Sequence, residues 1–198
     1  MESAYQKLVG RIELLNSIGI SLSTERDSTC LLEKILLGAK ELTNADGGTL
    51  YLLNDNNTLS MEIVHTSSLE YHMGGTTGST IPFSPIPIYL ENGKPNDKMV
   101  VTRSVLEDRT INIPDAYNSK EYDFSGTYQF DQKTGYRSQS FLTVPMKNHE
   151  NDIIGVLQLI NAKDSNTGET RVFDAEDQQF AESLAHVKAL VTKVDTLL

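Results

Sequence analysis

Between Asp131 and Met146 the chain reads DQKTGYRSQSFLTVPM, a run of hydrogen-bonding side chains delivered straight into an apolar strand. Asp131, Thr134 and Ser138 place a carboxylate and two hydroxyls within a few residues of each other. Such a stretch is either a polar turn whose groups satisfy one another or a lid that folds over a small molecule. Two more polar residues stand where apolar ones are expected. Gln158 interrupts the run GVLQLIN, and Thr49 opens the strand TLYLLN. A buried amide left without partners costs ~1–3 kcal/mol, so Gln158 requires a ligand edge, a neighbouring polar group or a water.

Catalytic groupings are missing. The four histidines, His65, His72, His149 and His186, make no metal-ligand spacing with one another, and neither HxxxH nor HExxH occurs. There is no Gly-x-Ser-x-Gly elbow and no Cys/His pairing. The glycine-rich GGTTGST, residues 74–80, lacks a lysine and leads into IPFSP rather than a helix, so it reads as a flexible turn. Cys30 is the sole cysteine, which excludes an internal disulfide and a thiolate metal site. The chemistry available is binding, with no cofactor expected.

The balance of charge narrows the partners. A net charge of −10 argues against a nucleic-acid backbone or an anionic membrane as the main partner. No apolar run approaches the ~20 residues of a membrane helix, and MESAYQKLVG lacks the basic and apolar regions of a signal peptide. The expectation is a cytoplasmic protein without a membrane partner.

The elements that must position these residues follow from periodicity. Leu8, Ile12, Leu15 and Leu22 recur at helical spacing from Ala4 onward. A second helix, CLLEKILLGAKELT, carries a broad apolar face. NADGG ends it, and TLYLLN and TLSMEIVHT form a hairpin. A Gly/Pro-rich excursion follows, with one short strand expected at STIPF. KMVVTRSVLEDR reads as a short amphipathic helix, TINIPD as a short strand, and AYNSKEYDFSGTYQFDQKTGYRS as a long polar connection of the kind that is functional or disordered. SFLTVPMKN and DIIGVLQLINAKD are strands, the second apolar enough for mid-sheet. The last helix begins at FDAED with Asp174 as N-cap. Phe180, Leu184, Val187, Val191, Val194 and Leu198 follow at heptad spacing, a seam that pairs helices. The order predicts an α+β fold with an antiparallel sheet, helices mainly on one face, and a ligand pocket under the excursion on the other.

Three ordered stretches, INIPDAY, FDQKTGYRSQSFLTVPM and IIGVLQLINAKD, followed by FDAED, resemble the GAF domain, a small-molecule sensor. The resemblance covers roughly residues 10 to 190. It implies a central antiparallel sheet of about six strands with N- and C-terminal helices packed on one face. LLNSIGISLSTERDSTCLLEKILLGAKELTNADGGTLYLL further resembles the entry to bacterial GAF domains that precede HD-GYP or other signalling output domains. The implied organisation is a signalling or dimerisation helix over residues 1–23 and a GAF domain over residues 24–198.

The resemblance also implies a site. Thr49 and Gln158 fall where cyclic-nucleotide GAF domains set a hydroxyl and a carboxylate against the base, and glutamine offers a donor as well as an acceptor. Tyr117 matches a pocket tyrosine. Asp131, Thr134 and Ser138 match a carboxylate and two hydroxyls near the ribose and cyclic phosphate. Val100 and Val101 match small apolar contacts, and the base-stacking aromatic falls at Val64 or His65. The family's Asn-Lys/Arg, Phe and Asp-Glu positions are met by Asn161, Phe173 and Asp177, with Ala162 at the Lys position, Lys163 beside it, and Gln178 at the Glu position. A regulatory, non-enzymatic sensor is therefore expected, with a cyclic nucleotide as best named ligand, a homodimer through the terminal helices, and an attached or partner output domain. The alternative is a ligand-free GAF domain serving as a dimerisation and relay scaffold.

Overall fold

The computed structural model describes residues 4–186. Helix α1 spans Ala4–Thr24. Helix α2, Ser28–Thr43, starts where the Asp27 carboxylate accepts the Cys30 amide at 2.8 Å, and stops at Asn44 in the left-handed conformation. Its apolar stripe, Leu31, Leu32, Ile35, Leu36, Ala39 and Leu42, is buried.

Strands β1 (Ala45–Leu53), β2 (Thr58–Thr66) and β3 (Tyr71–Gly74) come next, then the two-residue β4 (Ile86–Pro87). Helix α3 (Val100–Glu107), β5 (Ile111–Ile113) and helix α4 (Ser125–Thr134) precede the strands β6 (Phe141–Lys147) and β7 (Ile153–Lys163). The two-residue β8 (Thr170–Arg171) and helix α5 (Ala175–Ala185) complete the described residues. The main sheet order is β3-β2-β1-β7-β6-β5, all antiparallel, with β4 on β2 and β8 on β7. This is the expected α+β architecture, and β7 is mid-sheet, as its apolar run requires.

Alternation along the strands divides the sheet into two faces. Leu50, Ile63, Leu142, Val144, Leu157 and Leu159 share one core with α2 and α5. At Gly48 an added Cβ would meet Leu36 of α2 at 2.7 Å, so glycine lets helix and strand close together. The opposite face carries Tyr51, Val156 and Phe141, packed against Val100 and Val101 of α3 and Phe124 at the start of α4. Terminal helices thus cover one side and short middle helices the other.

Four local expectations are corrected. STIPF is not a strand; the short pairing in the excursion is β4, where Thr58 and Leu59 face Pro87 and Ile86. The glycines of NADGG belong to β1, because strand partners on both sides, β2 and β7, hold them extended. Helix α3 is shorter than its amphipathic stretch, opening at Val100 and ending at Asp108 in the left-handed conformation. The long polar connection contains α4, which Gly135 closes with a φ of 72° and whose Tyr128 packs on the Val100–Phe141 core. A few aromatic anchors stabilise this helix, and a hydrophobicity pattern does not register them. Of the C-terminal heptad seam, Phe180 and Leu184 are buried against α2 and the sheet. Val187, Val191, Val194 and Leu198 lie outside the described residues.

Candidate functional site

The face covered by α3 and α4 holds a cavity of ≈160 Å³. Its floor is Tyr51 of β1, Phe141 of β6 and Gln158 of β7; its apolar wall includes Met61, Ile86 and Met99. Val100 and Val101, the first two residues of α3, and Gly126 and Thr127, in the first turn of α4, close it. Two helix N-termini therefore converge on one small space. The first turns carry amides without intrahelical partners, of which the Ser125 amide donates to Asp123 Oδ1, and the positive end of the helix dipole, which together favour a negative group. Neither the N-cap residue of α3, Met99, nor that of α4, Phe124, supplies a side-chain cap.

Gln158 has partners of its own. Its Nε2 donates to Thr143 Oγ1 at 3.0 Å, while the Tyr51 hydroxyl lies at a long 3.5 Å from its Oε1. Thr49 stands beside Gln158 in the β1–β7 register and is buried, its hydroxyl engaging Tyr51. Burial pushes the Tyr51 phenol above its ordinary range. The amide is fixed with its acceptor oxygen only loosely used, so a ligand N–H has an opening there.

The polar loop of the opening stretch forms a second group. Asp131, 4% exposed, accepts the Tyr117 hydroxyl at 2.6 Å, the Ser138 amide at 2.7 Å and the Ser138 hydroxyl at 2.8 Å. The Tyr117 phenol is pushed up to about 12, first by its bond to this carboxylate. Arg137 stacks its guanidinium 4.1 Å from the centre of the Tyr117 ring. Thr134 is exposed and ends α4, donating to Phe130 O at 2.8 Å and accepting the Tyr136 amide at 3.3 Å.

A model of the GAF domain family matches residues 27–190. The chain belongs to the GAF domain family. Over 158 residues it is 28% identical to the dual 3',5'-cyclic-AMP and -GMP phosphodiesterase 11A of Takifugu rubripes, covering 80% of this chain but only 16% of that relative. The GAF domain of a phosphoenolpyruvate-protein phosphotransferase from Coxiella burnetii superposes with a TM-score of 0.68 at 14% identity, over 95% of this chain and 97% of that one. A free methionine-R-sulfoxide reductase from Neisseria meningitidis, solved with its substrate, gives 0.65 at 16% identity, over 100% and 98%. At these identities the structural neighbours share the fold alone.

The GAF motif positions have clear local roles. Asn161 adopts a left-handed conformation, which asparagine tolerates, and its amide holds the end of the loop. Its Oδ1 accepts the Gln139 and Ser140 amides at 2.8 and 3.2 Å, and its Nδ2 donates to Arg137 O at 2.8 Å and Tyr136 Oη at 3.0 Å. Tyr136 in turn donates to buried Asp46 at 2.6 Å. The family's cation on the Asn-Lys/Arg pair is supplied from elsewhere. Ala162 faces Arg171 across the β7–β8 ladder, and Arg171 pairs with the fully buried Asp177. Lys163 donates to Thr170 Oγ1 at 2.9 Å instead. Asp177 also completes the capping box with Asp174.

The nine predicted site positions thus divide. Val100, Val101 and Gln158 line the GAF cavity and Thr49 lies beside it, whereas Tyr117, Asp131 and Ser138 gather in the loop network and Thr134 at its exposed edge. His65 joins neither. It pairs with Gly48, on the helix-facing side, where Lys40 of α2 donates to its Nδ1 and also to Ser67 Oγ at 2.9 Å. The period of two sets this: Val64, its neighbour, takes the other face beside Thr49. Burial and the adjacent Lys40 lower the His65 imidazole to about 4, and burial lowers the Lys40 amine to about 8.

Cavity residues missed from the sequence include Tyr51, Phe124, Phe141 and Asp123. Tyr51 and Phe141 were accessible by strand period on β1 and β6; Phe124 and Asp123 depended on finding α4. A larger open cleft of ≈400 Å³ lies between Lys147 of β6 and Glu182 of α5, but its charges are used internally, Lys147 on Asp108 and Glu182 on Thr110 and Gln178. Among the described residues no group of three or more His, Cys, Asp or Glu is placed to hold a metal ion. No helix among them is long and apolar enough to cross a membrane.

Proposed function

We propose that this GAF domain is the regulatory sensor of a signalling protein, binding a ring-bearing small molecule, with a cyclic nucleotide as first candidate, and controlling an attached output domain such as an HD-GYP domain. The observation that carries this reading is the convergence of the α3 and α4 N-termini over an aromatic floor with Gln158 at its centre. The floor suits a flat ring, Gln158 a base edge, and the helix amides a phosphate. At ≈160 Å³ the cavity is smaller than the ~300–1,000 Å³ of typical ligand sites. Ligand entry therefore requires α4 and its loop to move outward, the lid motion by which binding favours one arrangement of the domain.

The route outward is through the terminal helices. Arg11 of α1 pairs with Glu176 at 3.1 Å and Asp177 at 2.8 Å, and lies 4.4 Å from the Phe180 ring centre. The signalling helix and the helix leading out are thus locked at one carboxylate. Tyr5, Leu8 and Ile12 leave an apolar strip exposed on α1, which supports a homodimer through the terminal helices. The reading is non-enzymatic: Cys30, the sole thiol, is at the start of α2, on the far side of the sheet from the cavity.

One observation favours the ligand-free relay scaffold: Asp131, Tyr117 and Ser138 already satisfy one another. Calorimetric titration of the folded domain with cyclic GMP, cyclic AMP and cyclic-di-GMP decides between the two. Saturable binding at micromolar or tighter concentration is expected; no heat with any of the three would leave the scaffold.

A further inference from the structure

We propose that Asp123 lowers the affinity of the cavity for anionic ligands relative to uncharged ring-bearing ones, so that a cyclic nucleotide binds less tightly than the helix amides alone would hold it. The inference rests on the sensor reading above and deepens it.

Asp123 is the one charged side chain among the residues lining the cavity; no lysine, arginine or histidine lines it. It is exposed, one residue before the Phe124 N-cap of α4, and its Oδ1 accepts the Ser125 amide at 2.9 Å. One amide of a helix N-terminus that would otherwise invite an anion is already occupied by the protein's own carboxylate. That amide holds the Asp123 carboxyl below its ordinary range, so the group is ionised at neutral pH. The backbone fixes its position as well, since the Asp123 N–H donates to Lys98 O at 2.7 Å on the segment entering α3.

Asp123 makes no ion pair among the described residues, and Arg103, the guanidinium beside neighbouring Tyr122, is committed to Glu107 at 2.7 Å and Glu121 at 2.8 Å. A phosphate brought to the same helix ends meets a like charge, whereas a neutral ring meets none. For two unit charges several ångströms apart at a wet protein surface the penalty amounts to about tenfold in affinity. The cavity thus combines an anion-attracting backbone with an anion-repelling side chain, and the side chain sets the selectivity.

The test is calorimetric titration of the wild-type domain, Asp123→Asn and Asp123→Glu with two probe classes: cyclic GMP and cyclic AMP, and the uncharged guanosine and adenosine. Asparagine keeps an acceptor for Ser125 and removes the charge, with an amide donor in place of the second oxygen. The expected result is that Asp123→Asn tightens the cyclic nucleotides about tenfold at low salt and leaves the nucleosides within about twofold, the gain shrinking as salt screens the repulsion. Asp123→Glu should behave as wild type. An unchanged ratio between the two classes in Asp123→Asn, or an equal gain for both, overturns the proposal while leaving the sensor reading in place. Absence of binding by either class to all three folded proteins removes the sensor reading, and this inference with it.

Discussion

Arg171 stands directly across the β7–β8 ladder from Ala162 and places its guanidinium against the buried carboxylate of Asp177. The cation the family pattern puts on β7 comes in this chain from the neighbouring strand. Breaking a buried pair by removing one partner strands the other charge, at a cost of about 3–5 kcal/mol when both are fully buried. Arg171 is partly exposed and Arg11 still touches Asp177. Arg171→Ala is accordingly expected to destabilise the domain by about 2–3 kcal/mol. Urea denaturation checks this; a midpoint unchanged from wild type would show that Arg11 alone suffices.

Arg11 ties α1 to α5, so its removal should act on the helix more than on the domain. Arg11→Ala is expected to raise hydrogen exchange along α1, which otherwise leans on α2 through Leu14, Leu15 and Ile18, while protection in β1, β6 and β7 is retained. Equal loss of protection in the sheet would mean that α1 and the sheet open as one unit.

Lys40 and His65 give a pH dependence whose sign is fixed by their position. The His65 imidazole, at about 4 when folded, lies below its unfolded value of 6.5, so the unfolded chain binds the extra proton between these pH values. Stability contributed by the neutral imidazole is present above pH 6.5 and lost as pH falls toward 4. Lys40→Met removes the adjacent positive charge and should raise the His65 pKa toward its ordinary range, which narrows that window. An NMR titration of the His65 ring follows both proteins; identical curves would mean that burial alone sets the shift.

Much of the frame was legible because it rests on long periodic segments. The faces of α2, the central placement of β7 and the Asp174 cap each follow from local pattern. The site was harder to read, for two physical reasons. Helix α4 is anchored by a few aromatics, Phe124 and Tyr128 among them, and its surface is polar, so no amphipathic signal announces it. His65 and Val64 differ by one position, and in a strand one position is the opposite face. Which of the two takes the cavity-side face of the sheet depended on a register that only the pairing of β2 with β1 reveals. The polarity of the loop from Asp131 was visible, but its partners were not, since Tyr117 and Ser138 meet Asp131 only once α4 has turned the chain back.

That network predicts different outcomes for neighbouring polar residues. Asp131→Ala leaves the buried Ser138 hydroxyl and amide without their acceptor and should cost about 2–4 kcal/mol. Thr134→Ala, at an exposed helix end, should cost no more than about 0.5 kcal/mol. Thermal unfolding of the two variants separates them. If Asp131→Ala leaves stability untouched while weakening a ligand, the carboxylate belongs to a binding site rather than to the loop.

Gln158 offers the sharpest division between sensor and scaffold. In the scaffold its amide only bridges to Thr143 and Tyr51, and a leucine of similar volume would leave the Thr143 hydroxyl without its donor and the Tyr51 hydroxyl without its long-range acceptor. Gln158→Leu should then cost about 1 kcal/mol and change nothing else. In the sensor the same substitution also removes the only amide on the cavity floor, where a base edge would bond. A site built to hydrogen-bond a ligand loses far more than the bond itself when a polar edge faces an apolar wall. The expected outcome is a domain that melts within a few degrees of wild type yet binds a cyclic nucleotide at least about tenfold more weakly, against Val101→Ala as a control for cavity shape. Undiminished affinity in Gln158→Leu would place the ligand away from the cavity floor.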